Sequence, residues 1–129
     1  MKKLLFILIL LFPLASNAKW IKVIGEPATY LDPPSIRESN GYIYFWLIFN
    51  TPANSSFKSS KVLWQGDCKT PKKKKELESF HYKSEMAEGQ SFEGISDPDW
   101  DYVDPNTKEG VIIEKACWAN NFYKKNNIK

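Results

Sequence analysis

Four groups of side chains in this sequence have types and spacings that could do chemistry. Asp97, Asp99 and Asp101 stand at the first, third and fifth positions of a calcium-loop pattern, where alternate carboxylates would encircle a hard cation. The pattern then breaks, because Tyr102 occupies the sixth position, where the sharp turn needs glycine, and Lys108 the twelfth, where a bidentate glutamate belongs. The aspartates therefore read as a loop. His81 is the single histidine of the chain, and a transition-metal site needs three or four converging ligands. It reads as an exposed side chain on the polar side of its strand, and neither a metal nor a cofactor is expected. Cys117-Trp118 lacks the glycine-rich context of a cysteine nucleophile and has only His81 as a base. With no nucleophile beside a base, no metal cluster and no phosphate loop, the sequence predicts no enzyme.

The fourth group is the lysine run Lys72, Lys73, Lys74 and Lys75, the candidate binding residues of the chain. Such a patch can attract acidic polysaccharide, anionic lipid headgroups or an acidic protein, and a solvated hairpin loop is the competing reading. Nucleic acid is not expected as the partner. Lys2 and Lys3 belong to an N-terminal export signal, and without them 16 basic residues face 15 acidic ones, a net charge of +1. Phosphate binding shows as a strong basic balance concentrated on one face. The charge is nonetheless uneven: Lys69 to Lys75 holds five lysines, whereas Glu85 to Asp104 holds seven carboxylates and no basic residue.

The export signal is read from Lys2-Lys3, the apolar run Leu4 to Leu14, and the small residues Ser16 and Ala18, with cleavage expected after Ala18. The apolar run is short of the ~20 residues that span a bilayer, and no second such stretch follows, so no transmembrane segment is expected in the mature chain. Residue 19 is lysine, so no lipid-anchoring cysteine follows the cleavage site. The protein is expected in the periplasm, or secreted to the outer surface. Residues 1–18 are thus the signal and residues 19–129 one domain of ordinary size.

Positioning falls first to strands. Trp20 to Ile24 alternates, Ala28 to Leu31 is a short second strand, and Asp32-Pro33-Pro34-Ser35 turns the chain. After the Asn40-Gly41 turn signal, Tyr42 to Phe49 is apolar throughout and reads as a central strand covered on both faces. Lys58 to Gln65 places Val62 and Trp64 on one face and Lys61, Leu63 and Gln65 on the other. Lys69 to Lys75 reads as a charged connection broken by Pro71. Leu77 to Met86 follows as a strand with Phe80, Tyr82 and Met86 inward and Ser79, His81 and Lys83 outward, then Gln90 to Ile95 as a weaker one. A helix from Thr107 to about Asn121 is predicted, capped by Asn106 with Glu109 reciprocating. Its narrow apolar stripe is Ile112, Ile113, Ala116, Cys117 and Asn120, and Gly110 weakens it by about 1 kcal/mol relative to alanine.

The fold class is therefore α+β: an antiparallel sheet of about six strands with a C-terminal helix on one face. Cys68 at a strand end and Cys117 on the helical stripe are the only cysteines, and an exported pair predicts one disulfide joining helix to sheet. The sequence also resembles the surface-adhesin protein E family of Gram-negative envelopes over most of the mature chain. The resemblance is carried by Tyr30-Leu31-Asp32 with Ser35-Ile36, Gly41 leading into Trp46 to Asn50, and Ser60-Lys61-Val62 running to Asp67-Cys68. It continues through Tyr82, Ser84, Met86 and Gly89, then Trp100, Val103 and Pro105, to Cys117. It implies the same sheet, helix and Cys68–Cys117 disulfide. It also implies a non-catalytic envelope binding module that attaches to a protein or a host surface, with a periplasmic accessory or inhibitor protein as the alternative.

Overall fold

A computed structural model describes residues 19–52 and 54–126; the predicted export signal lies outside the described residues. The strands in chain order are β1 (Ile21–Ile24), β2 (Thr29–Leu31), β3 (Arg37–Ser39), β4 (Tyr42–Asn50), β5 (Ser59–Asp67), β6 (Lys73–Tyr82), β7 (Ser91–Glu93) and β8 (Asp101–Tyr102). They form one antiparallel sheet in the order β1-β2-β4-β5-β6-β7, with β3 alongside the start of β4 and β8 alongside the start of β6. One helix, α1 (Lys108–Lys125), closes the fold.

β4 and β5 pair from Ile43–Gly66 to Asn50–Ser59 and form the spine. Ile43, Phe45 and Leu47 of β4, with Val62 and Trp64 of β5, point at α1 and are buried together with Ile112, Ile113 and Ala116. The expectation that β4 is covered on both faces is corrected: alternation sends Tyr42, Tyr44 and Trp46 to the side away from the helix, where they are half-buried. An unbroken apolar run mimics a two-sided strand when half of it is aromatic, because large rings cover one another without a second layer.

Asn40 and Gly41, with φ of 53° and 84°, make the tight β3–β4 turn that the dipeptide predicted. Gly66 has a further role. A Cβ there would lie 3.2 Å from Ile113 Cδ1 and 3.3 Å from Ile43 Cγ1, so its bare backbone lets α1 settle onto the sheet. The disulfide joins Cys68, just past β5, to Cys117 on the buried side of α1, with Cα atoms 5.8 Å apart.

The helix begins one residue later than predicted. Thr107 is the N-cap, its hydroxyl accepting from Gly110 N at 3.2 Å and donating to Asp104 O. Asn106, predicted to cap, instead has its own amide bonded to Asp104 Oδ1 at 2.9 Å. The capping box fails because the position three residues after Thr107 is Gly110, not Glu109. At the other end Glu38 of β3 accepts from Asn120 Nδ2 and Lys124 Nζ, both at 2.9 Å, which satisfies the buried amide on the helical stripe.

A strap crosses the far end of β4 and β5. Met86 and Ala87 adopt left-handed φ of 60° and 54°, a conformation that costs non-glycine residues energy and needs external support. Support comes from Asn50 Oδ1, which accepts from Met86 N, and from fully buried Ser59. The Ser59 hydroxyl donates to Ser84 O at 2.6 Å and accepts from Ala87 N at 2.9 Å. Ser59→Ala strands both partners and is expected to cost about 1–3 kcal/mol in denaturant unfolding.

Candidate ligand-binding face

The lysine run is not the loop that the sequence predicted. β6 begins at Lys73, because the run pairs with β5 through Asp67–Lys73, Gly66–Lys74 and Gln65–Lys75. Alternation then divides the lysines between the two sides of the sheet. Lys74 points toward the helix side, where its ammonium lies 4.7 Å from the centre of the Trp64 ring and 4.0 Å from Asp101 Oδ2. Lys73 and Lys75 point to the other side, 4.7 and 4.6 Å from the centre of Trp100, and have no carboxylate partner among the described residues. Lys72 stays apart, lining a small cavity of about 150 Å³ with Val103, Pro105 and Ile113.

The same alternation builds the rest of this open face. Tyr44, Gln65 and Lys75 lie in one cross-strand row, Trp46, Leu63 and Glu78 in the next, and Ile48, Lys61 and Phe80 in a third. Trp100, carried by the segment before β8, folds back onto Tyr42 with ring centres 5.2 Å apart. Lys61 Nζ sits 5.1 Å from the centre of Trp46 and 5.8 Å from Trp20, and Trp46 lies 6.3 Å from Phe80. Two clusters of cations on aromatic rings therefore share one face: Trp100, Tyr42, Lys73 and Lys75 at one end, and Trp46, Trp20 and Lys61 at the other. Tyr42 and Trp46 are four residues apart on one strand, about 13 Å. The sequence missed this site because its rings come from Trp20 just before β1, from β4 and from the segment before β8, which only the topology brings to one face.

The acidic half of the chain has its place beside β6. Backbone bonds from Glu76 N to Asp97 O, Gly94 N to Ser79 O and Val103 N to Lys72 O run residues 91–103 along the outer edge of the lysine strand. Asp97 Oδ1 accepts from Asp99 N and Asp101 pairs with Lys74, so these aspartates serve turn and ion-pair roles; among the described residues no three metal-ligating side chains converge. Burial holds the Glu76 carboxyl above its usual range, with Lys74 opposing and Asp97 adding to the rise. A carboxyl raised in the folded state favours folding while protonated and loses that contribution as pH rises through its folded pKa. Glu76→Gln is therefore expected to raise Tm at neutral pH, the gain vanishing below the ordinary carboxylate pKa, as read in melts across a pH series.

His81 is half-buried, not exposed, and faces the helix side with buried Ser79, the reverse of the predicted alternation. The cause is a bulge: β5 and β6 shift register between Leu63 and Trp64, so Leu77 is skipped. The ring stacks on Phe57 with centres 4.0 Å apart, and its Nδ1 lies 2.7 Å from Ser60 Oγ. This serine–histidine pair was invisible in the sequence. Its other nitrogen faces the segment just after β7, since a Cβ at Gly94 would come within 2.7 Å of Nε2. The pair clamps β5, β6 and the segment after β7 together.

A protein-family model described as surface-adhesin protein E matches residues 20–118. No curated protein matches the chain in a sequence search. Among solved structures, the selenomethionine form of protein E from Haemophilus influenzae is similar at a TM-score of 0.66 and 13% identity, covering 82% of this chain and 91% of that one. A crystal structure of protein E from non-typeable Haemophilus influenzae is similar at a TM-score of 0.59 and 14% identity, covering 87% and 82%. At that identity the structures establish a shared fold. With the family match spanning most of its length, this chain belongs to the surface-adhesin protein E family.

Proposed function

We propose that this protein is an exported binding module of the bacterial envelope that works as a non-catalytic surface adhesin. Its attachment surface is the sheet face opposite α1. One observation carries the reading: two cation–aromatic clusters lie on the sheet face opposite α1, where the Ser84–Ala87 strap packs only at the far end, over Ile48 and Ser59. Half-buried aromatic rings with cations lacking a carboxylate partner are the composition of recognition surfaces, because rings bury large area at low conformational cost and cations steer the encounter. Family membership supports attachment as the role, and the apolar N-terminal run together with the disulfide supports an oxidising compartment outside the cytoplasm. Protease shaving of intact producing cells tests display. The protein is expected to be cleaved; full protection would overturn the surface role and favour a periplasmic binding protein.

A further inference from the structure

Resting on that reading, we infer that the open face takes an acidic polysaccharide, a glycan with carboxylate or sulfate groups spaced along otherwise uncharged sugar rings. Rings and ammonium groups spread over successive rows of one sheet face suit a polymer laid across it more than an enclosed small molecule. Each cluster presents an indole flanked by ammonium groups: Trp100 by Lys73 and Lys75, Trp46 by Lys61. The C–H face of a sugar ring buries against an indole, and an acidic substituent on that sugar then lies within reach of a lysine that swings off the ring onto it. Such contacts are charge-assisted and strong where the ring excludes water.

The distribution of charge selects among polymers. Glu78 stands in the same cross-strand row as Trp46, flanked by the rows of Lys75 and Lys61, and Glu93 sits opposite Phe80 in the row of Lys61. A nucleic acid carries a charge on every unit and would place phosphates against those carboxylates. A glycan with acidic groups only on some sugars can set them at the lysine clusters and pass Glu78 with a neutral ring. The near-neutral balance of the mature chain points the same way, since nothing in it provides the broad positive field that polyphosphate binding needs.

The experiment measures binding of the disulfide-bonded mature protein to keratan sulfate, hyaluronate, dextran and a single-stranded oligothymidylate by biolayer interferometry. Keratan sulfate, which carries sulfate but no carboxylate, separates a sulfate preference from the carboxylate preference that hyaluronate reports. Salt-sensitive binding to at least one acidic glycan and none to dextran is expected, with a loss of tenfold or more in Trp100→Ala and in Lys73→Gln/Lys75→Gln. If Trp100→Ala fails to fold, Trp100→Leu keeps bulk while removing the aromatic face, and the same loss is expected. Glycan binding indifferent to the Trp100 variants would overturn the proposal as bulk charge attraction, and tighter binding to the oligothymidylate would overturn it in favour of nucleic acid. No binding to either glycan would also overturn it. If beads coated with the parent protein still adhere to host cells and lose adhesion in Lys61→Gln/Lys73→Gln/Lys75→Gln, attachment through this face survives and only the ligand class is wrong.

Discussion

Gly110→Ala is expected to destabilise the protein by about 3 kcal/mol or more, although alanine is the better helix former by about 1 kcal/mol. Gly110 lies in the first turn of α1, buried where Asp104 and Pro105 cross the helix. A Cβ would stand 2.2 Å from Asp104 O and 2.7 Å from Pro105 Cα. Neither is the movable end of a side chain, so the crossing chain or the helix must shift. That shift would also disturb Thr107, whose backbone amide and hydroxyl both bond to Asp104 O. Guanidinium unfolding reads the loss, with Gly25→Ala as a control, since nothing lies within 4 Å of its Cβ position. A midpoint equal to or above that of the parent would show that the crossing is not as close as described.

Opening the disulfide is the second large effect. Cys68 and Cys117 are separated by 49 residues, and closing a loop of that length removes unfolded-state entropy worth up to about 4 kcal/mol in the chain-entropy model. That is a large share of the 5–15 kcal/mol typical of a domain's stability. The bridge anchors the middle of α1, beside Ile113 and Ala116, so its loss loosens the helix from the sheet first. Cys68→Ser/Cys117→Ser is expected to unfold at much lower denaturant, with increased hydrogen exchange in α1 before β4 and β5. Unchanged stability would contradict a structural role for the pair.

Much of this architecture could be read from the residues because local signals agreed with the tertiary outcome. The Asn40-Gly41 turn, the Val62 and Trp64 side of β5, the helical stripe and the cysteine pairing all depend on spacing and backbone preference within short segments. Three kinds of feature could not be read that way. β3 and β8 are short and polar, with no apolar alternation, and exist because a neighbouring strand offers them hydrogen bonds. The bulge at Leu77 inverts the alternation after it, so Phe80 and His81 exchange sides through an event that the pattern around them does not encode. Gly110 looked like a weakness because helix propensity is local, whereas its value comes from a chain crossing.

The open face shows the same division. Lys72 to Lys75 stood out as a charge run, but a run in a strand is two half-runs on opposite sides. Lys74 is neutralised beside Asp101, Lys72 lies by the small cavity, and only Lys73 and Lys75 reach the open face. The Trp100 ring over which those two lysines lie is far from them in sequence. Trp118 and Phe122, stacked at 5.4 Å and exposed on the outer side of α1, form a separate patch with no lysine over its rings among the described residues.

The most direct test of the open face as the attachment surface compares two charge-matched triple variants on protein-coated beads adhering to host epithelial cells. Lys61→Gln/Lys73→Gln/Lys75→Gln removes three cations from the open face, and Lys108→Gln/Lys115→Gln/Lys125→Gln removes three from the helix. Adhesion is predicted to fall tenfold or more for the first and to stay at the parental level for the second. Equal adhesion by both, whether retained or lost, would contradict attachment through this face.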